Sequence, residues 1–343
     1  MTKIGINGFG RIGRSIFKII MQHNYFDIVA VNDIDPDLKN LIYLLKYDTT
    51  YGNYSKEVEY IDEENFSVDN NIVKYSAKDY IENVDWNGAE IIICATGIEK
   101  NIVGARNLLN NGIVEKVVIT HASSLVDQTI VMGVNENDYL GDKHNLVSSS
   151  ICDANAVAQV LRHVDDQWGI KNCFFTTLHP WLSYQNLVDG GLGSISSPGH
   201  FWKDYALGRS ATESMIPKPT TAAKAVLDVI PKLRGKIDAL SFRTPTAIVS
   251  SSDMTITCNT NIQAEEVERY FLEATKNNSY MAFNKESLVS IDYKQTEHSA
   301  IIDGQWIKVL DDNILKLIVW YDNEWGYSAR AIDVARLLVG ELC

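Results

Sequence analysis

Apolar and polar positions alternate in blocks along this chain. Residues 3 to 7 form a short β-type run that stops at Gly8-Phe9-Gly10-Arg11-Ile12-Gly13, and Arg14 to Met21 then repeat apolar positions at helical spacing. A second apolar run, Ile28-Val29-Ala30-Val31-Asn32, ends in Asp33. Strand, glycine turn, helix and strand predict a βαβ unit. Further continuous runs follow at Ile91 to Ala95, which ends in Thr96-Gly97, at Lys116 to Thr120, at Thr129 to Val134 and at Asn145 to Ser148. Strands without polar alternation, set between helices, predict a parallel sheet covered on both faces.

The pattern changes after residue 151. Asn155 to Val164 has helical periodicity and ends near Trp168-Gly169, and Cys173 to Leu178 reads as a strand that delivers His179. Runs at 239–243, 247–250, 253–258, 287–291 and 314–321 follow with few helices between them, which predicts a mainly antiparallel sheet. Ser328 to Leu342 is helical again. The expected class is therefore α/β in two domains: residues 1–151, and residues 152–323 as an α+β domain, with a last helix at about 324–343 returning to the first.

Composition narrows the classes. The 343 residues suffice for two domains with separate cores, and 45% hydrophobic with 22% charged residues is a soluble globular profile that excludes disorder and fibres. With 31 basic against 44 acidic residues the formal net charge is −13, and the basic residues form no runs. That argues against nucleic acid as a partner. No apolar stretch is long enough for a signal peptide or a membrane span, so no membrane association and a cytoplasmic location are expected. The five cysteines, at 94, 152, 173, 258 and 343, show no paired short spacing, so neither a disulfide framework nor a metal site is expected.

The glycine turn carries the first chemistry. A G-x-G-x-x-G sequence alone is a weak signal, but here it lies between a strand and a helix, and Asp33 follows Gly13 by twenty residues. That is the spacing of a carboxylate that accepts hydrogen bonds from an adenosine ribose and repels a 2′-phosphate. NAD is therefore expected, with its pyrophosphate at the helix start. Thr96-Gly97, at a strand end, is expected to line the same cofactor.

Cys152 lies where an extended segment gives way to a helix, and a helix start favours the thiolate. Two readings stay open on that basis: a nucleophile, or a buried structural thiol. His179, at a strand end, is the histidine best placed to serve it as base.

Several segments together resemble one family. Ile6-Asn7-Gly8-Phe9-Gly10-Arg11-Ile12-Gly13-Arg14, Leu45-Lys46-Tyr47-Asp48-Thr49, Cys152 with Asn155, Thr176-Thr177-Leu178-His179 and Trp320-Tyr321-Asp322-Asn323-Glu324-Trp325-Gly326-Tyr327 look like the phosphorylating glyceraldehyde-3-phosphate dehydrogenases and their erythrose-4-phosphate dehydrogenase relatives. The resemblance runs through the whole chain. It implies a Rossmann domain that binds NAD through Gly8, Gly10, Arg11, Ile12 and Gly13, a catalytic domain with a mainly antiparallel sheet, and a homotetramer. By position it implies that Cys152 is the nucleophile, His179 its base, Asn323 the holder of the nicotinamide carboxamide and Arg243 the partner of the substrate's phosphate.

The chain departs from the family around the cysteine. The usual Ser-Cys-Thr-Thr-Asn reads Ile151-Cys152-Asp153-Ala154-Asn155, and the Thr-Gly that completes the family's inorganic-phosphate site reads Thr220-Thr221. A carboxylate at Asp153 should raise the Cys152 pKa and repel a phosphate dianion, unless it points away as a first-turn helix residue. The positions that flank the substrate phosphate are Leu182 and Tyr184, which implies a more apolar pocket with Arg243 alone of its anion cluster. The substrate is accordingly expected to be a small anionic aldehyde bound among Arg243, Thr220, Thr221, Asp153, Leu182 and Tyr184. Three readings remain: an ordinary phosphorylating enzyme, a paralogue with a changed aldehyde or acyl acceptor, and a non-catalytic NAD-binding protein.

Overall fold

A computed structural model describes residues 1–191 and 205–342. They form two compact units, Met1–Ile151 with Tyr327–Cys343, and Cys152–Gly326.

The first unit runs β1 (Lys3–Asn7), α1 (Arg11–His23), β2 (Asp27–Asp33), α2 (Leu38–Lys46), a short hairpin of β3 (Tyr47–Asp48) and β4 (Gly52–Asn53), a meander of β5 (Val58–Asp62), β6 (Asn65–Val68) and β7 (Asn71–Ala77), then β8 (Ile91–Cys94), α3 (Lys100–Asn110), β9 (Lys116–Ile119), β10 (Gln128–Thr129) and β11 (Leu146–Ser148). Its nine-stranded sheet has the order β10-β11-β9-β8-β1-β2-β7-β6-β5. Pairing is parallel from β10 to β7. The expected continuous apolar strands form its centre, with Ile4, Ile6, Ile92, Ile93, Val117 and Val118 wholly buried.

The sheet departs from the expectation at both edges. β5, β6 and β7 pair antiparallel, and the Asp69-Asn70 turn between the last two has both residues at positive φ, 48° and 67°. That is the geometry of a type I′ hairpin, built from polar residues that an apolar-run reading passes over. The run Thr129 to Val134 is a strand only up to Thr129. Beyond it the Asn135 side chain accepts from the Val131 N–H (2.8 Å) and donates to the Thr129 carbonyl (2.9 Å), folding the segment into a turn.

The second unit runs α4 (Cys152–Trp168), β12 (Ile170–Pro180), β13 (Ile216–Lys218), α5 (Ala222–Val229), β14 (Ile237–Thr244), β15 (Ser250–Cys258), α6 (Ala264–Ala274), β16 (Met281–Asn284), β17 (Ala300–Asp303), β18 (Lys308–Leu310) and β19 (Ile314–Tyr321). The final helix, α7 (Trp325–Leu338), passes into the first unit at Tyr327. There the Tyr327 hydroxyl donates to the Ser150 carbonyl at 3.0 Å. The sheet has the order β13-β14-β12-β15-β19-β17-β16, with β18 on β19. Pairing is antiparallel except for β12 with β14 and β16 with β17. Two apolar runs read as strands are not: Ala247 to Val249 is a turn whose Val249 has φ 71°, and Ser287 to Ile291 leads into a short 3₁₀ turn at Ser290–Tyr293.

Register aligns one end of this sheet. Ile216 pairs with Arg243, Arg243 with His179, and Ser250 with Tyr321, while the Leu178–Ser251 pair lies one residue below His179. Paired strand residues point to the same face. Arg243, His179 and Tyr321 therefore stand in one row across five strands. No helix among the described residues is long and apolar enough to cross a membrane.

Candidate active site

In the first unit, the β1–α1 turn is shaped by its glycines. Gly8 has φ +93°, where a side chain would be strained, and a Cβ on Gly13 would stand 1.9 Å from the Gly8 carbonyl oxygen. At Gly10 the space a Cβ would fill is open, and no side chain caps the start of α1. Open space in front of uncapped helix N–H groups suits a pyrophosphate. The Arg11 side chain lies over the Tyr51 ring and 3.3 Å from Asp48, so its own contribution to the turn, like that of Ile12, is the backbone at the helix start. Asp33, half-buried at the end of β2, accepts from the Phe9 N–H through Oδ2 and from the Asp35 N–H through Oδ1. It thus ties the glycine turn to the second strand. Thr96 Oγ1 accepts from the Ile98 N–H and the Asn101 amide, and Gly97 beside it is exposed.

In the second unit, Asp322 accepts from the N–H groups of Glu324, Trp325 and Gln295. This clamp sets the neighbouring Asn323, which is buried and whose Oδ1 has no hydrogen-bond partner among the described residues. An orphaned buried acceptor is what a carboxamide NH₂ would satisfy.

Cys152 opens α4, as expected. Its Sγ lies 3.6 Å from His179 Nε2 and 3.6 Å from Asp153 Oδ1. Asp153 does not point away into solvent: it is buried, faces the thiol, and accepts at Oδ1 from the Tyr321 hydroxyl at 2.7 Å. His179 Nδ1 lies 3.1 Å from the Pro180 carbonyl, which can only accept. The neutral ring therefore carries its proton on Nδ1 and turns the Nε2 lone pair toward the sulfur. The same carbonyl accepts from Arg243 Nη1 at 3.4 Å. Sγ and the ring and carboxylate ligand atoms of His179 and Asp153 lie within 4.8 Å of one another, a donor set able to share a cation, so a chelator belongs in any assay.

Burial, and then the Asp153 charge, push the Cys152 thiol well above its ordinary pKa. Burial, and then Arg243, bring His179 down to about 4. This corrects the thiolate expected from the helix start alone: desolvation and a carboxylate outweigh the dipole. At neutral pH both groups are uncharged, and the thiol proton is transferred only when His179 accepts it. Iodoacetamide is accordingly expected to alkylate Cys152 more slowly at pH 7 than it alkylates free glutathione, with a rate that climbs beyond pH 9. Peptide mass spectrometry across pH reads the rate. A faster reaction at pH 7 would indicate a standing thiolate.

A second cation joins the expected residues. Arg243 is buried, donates to the Tyr184 hydroxyl at 3.2 Å and leaves Nε without a partner. Lys218, opposite Ser241 and on the same face as Arg243, is lowered in pKa by burial and then by Arg243, against a rise from Asp153 and Cys152. The apolar pocket inferred from Leu182 and Tyr184 is thus corrected: Tyr184 presents its hydroxyl to Arg243, and Arg243 is joined by Lys218. Leu182 instead donates its N–H to the Gln185 side chain. Thr220 Oγ1 accepts from the Ala222 N–H at the start of α5, and Thr221 is exposed. Neither hydroxyl bonds to the Cys152, His179 or Arg243 side chains. Lys218 and Tyr321 escaped the sequence reading because they lie 66 and 169 positions from Cys152 and only strand order brings them close. Lys218, in Pro217-Lys218-Pro219 before Thr220, offered the one local signal, a cation beside a suspected anion site.

Comparison with known proteins bears on both units. Residues 2–102 match the family described as glyceraldehyde 3-phosphate dehydrogenase, NAD binding domain, and residues 151–323 match its C-terminal domain. The chain is 36% identical to glyceraldehyde-3-phosphate dehydrogenase 1 of Bacillus cereus over 99% of both chains. It is 37% identical to glyceraldehyde-3-phosphate dehydrogenase B of Aspergillus oryzae over 97% of both. It is 35% identical to glyceraldehyde-3-phosphate dehydrogenase 2 of Bacillus subtilis over 98% of this chain and 96% of that one.

Proposed function

This chain belongs to the glyceraldehyde-3-phosphate dehydrogenase family, an NAD-dependent oxidoreductase acting on an aldehyde, and we propose from that membership that it oxidises a small anionic aldehyde through a thiohemiacetal and then a thioester on Cys152, with a substrate or acyl acceptor changed from the family's. The observation that carries this reading is the Cys152, His179 and Arg243 cluster with Asp153 turned into it. Arg243 and Lys218 supply two positive charges against one carboxylate, which favours an anionic substrate.

His179 takes the thiol proton as sulfur bonds to the aldehyde carbon, and returns it to the hemiacetal oxygen. NAD, when bound, supplies the hydride acceptor. His179 then accepts the hydroxyl proton as the carbonyl re-forms, which leaves the acyl group on Cys152. Backbone N–H groups at the start of α4 stabilise the oxyanion. Asn323 Oδ1 would accept from a carboxamide, Asp33 would accept from a ribose, and the open face of the glycine turn would receive a pyrophosphate. The homotetramer implied by the resemblance and the cytoplasmic location expected from the sequence belong to the same proposal.

A second reading, the ordinary phosphorylating activity, draws support from the names of the near-full-length relatives. Glyceraldehyde 3-phosphate and a panel of sugar-phosphate and short-chain aldehydes, each assayed for NADH with and without inorganic phosphate, separate the two. Phosphate-independent NADH formation with one of the anionic aldehydes is the expected result. Turnover of glyceraldehyde 3-phosphate that depends on inorganic phosphate would favour the second reading.

A further inference from the structure

We infer that Asp153, held by Tyr321, is the general base that delivers water to the Cys152 acyl group, so that the product leaves as a free carboxylate. The inference rests on the thioester of the preceding reading and assigns its acceptor. Two observations support it.

Asp153 touches the reacting atom, with Oδ1 3.6 Å from Cys152 Sγ. In the resting protein that contact is filled by the thiol proton. Acylation removes the proton from sulfur and with it this hydrogen bond, so an acceptor position beside the acyl carbon opens only in the acylated state. A water donating there stands next to the carbon it must attack. The Tyr321 hydroxyl donates to the same Oδ1 at 2.7 Å from a strand that pairs directly with β15, which fixes the carboxylate while its other lone pairs stay available.

His179 Nε2 faces the sulfur on one side and Asp153 Oδ1 stands beside it on the other, so the carboxylate takes the proton of the water. In the hydrolytic step the water oxygen bonds to the acyl carbon, its proton passes to Asp153, and the carbonyl electron pair moves onto oxygen. As the carbonyl re-forms, the C–S bond breaks and its electron pair returns to sulfur, which takes the proton held by Asp153 across their contact. The carboxylic acid product releases its own proton to solvent and leaves as the carboxylate. No oxidant or further co-reactant is consumed. Tyr321 acts through Asp153 and is a positioning residue.

The test bypasses both aldehyde and NAD. p-Nitrophenyl acetate acylates a reactive cysteine directly, giving a burst of p-nitrophenolate, and the following steady state reports loss of the acetyl group. In phosphate-free buffer with chelator, Asp153→Asn is expected to speed the burst, because it removes the charge that opposes the thiolate, and to slow deacylation by about ten- to hundredfold. A merely structural role would move both phases the same way. Tyr321→Phe is expected to keep the burst amplitude and lose several-fold in deacylation. Asp153→Thr carries the same comparison should the asparagine variant fold poorly. Deacylation as fast as wild type in the Asp153 variants overturns the proposal. So does a wild-type acetyl-enzyme that persists until inorganic phosphate is added. If no aldehyde yields NADH while the ester phases behave as expected, the oxidative reading fails and this one stands.

Discussion

His179→Ala is expected to lower kcat by about 10³-fold, the range of a positioned general base. The size follows from the resting charge state. Were Cys152 a standing thiolate, losing the imidazole would remove only a hydrogen bond. Burial and Asp153 instead hold the thiol protonated, and His179 Nε2 is the neutral acceptor within reach of it. Rapid-quench measurement of the first turnover checks this, with the loss expected in acylation and not in product release. A loss below tenfold would show that the proton leaves by another route.

The same residue carries a stability signature. His179 is held at about 4 when folded and takes up a proton near 6.5 when unfolded. Its charged form is disfavoured in the native state, so the unfolded chain binds more protons between these values. Stability is unaffected above about pH 6.5 and falls as pH drops toward 4. His179→Ala should flatten this part of a urea-midpoint profile against pH.

Arg243→Met should reduce kcat/KM for an anionic aldehyde by about 10²- to 10⁴-fold, since leaving a buried charge without its partner costs about 3–5 kcal/mol. The arginine is buried and anchored by the Pro180 carbonyl and Tyr184 hydroxyl, with Nε still unpartnered. Its placement is therefore already built, and little rotamer entropy is lost when an anion arrives. The loss should appear mainly in KM. A neutral short-chain aldehyde provides the control: an equal loss there would show that Arg243 supports the fold of the site and not the recognition of an anion. Removing this charge also relieves part of the depression on His179 and Lys218, so the acid limb of the pH profile should move upward in the variant.

Much of the first unit was legible in the chain because its signals are local. The glycine turn, the helix after it and Asp33 lie within one βαβ stretch, and an apolar run buried on both faces reads as a central parallel strand. The edge meander was not legible, since strands half in water carry short polar alternations and depend on hairpin turns such as Asp69-Asn70. The runs at Thr129 to Val134 and Ala247 to Val249 misled for a related reason: burial makes a segment apolar whether or not it finds a strand partner.

The candidate site divides along the same line. A thiol at a helix start and a histidine at a strand end are written in contiguous residues, whereas the arginine and the replacement of neighbouring hydroxyls by Asp153 come from the resemblance to the family. Only the tertiary structure decided which way Asp153 turns, that Tyr321 holds it, that Tyr184 offers a hydroxyl to Arg243 and that Lys218 adds a second cation. Those contacts depend on the order and register of β13, β14, β12, β15 and β19, where long-range pairing sets which side chains share a face. The charge state of Cys152 belongs with them, since desolvation and a neighbouring carboxylate act through space and reverse what the helix dipole alone would produce.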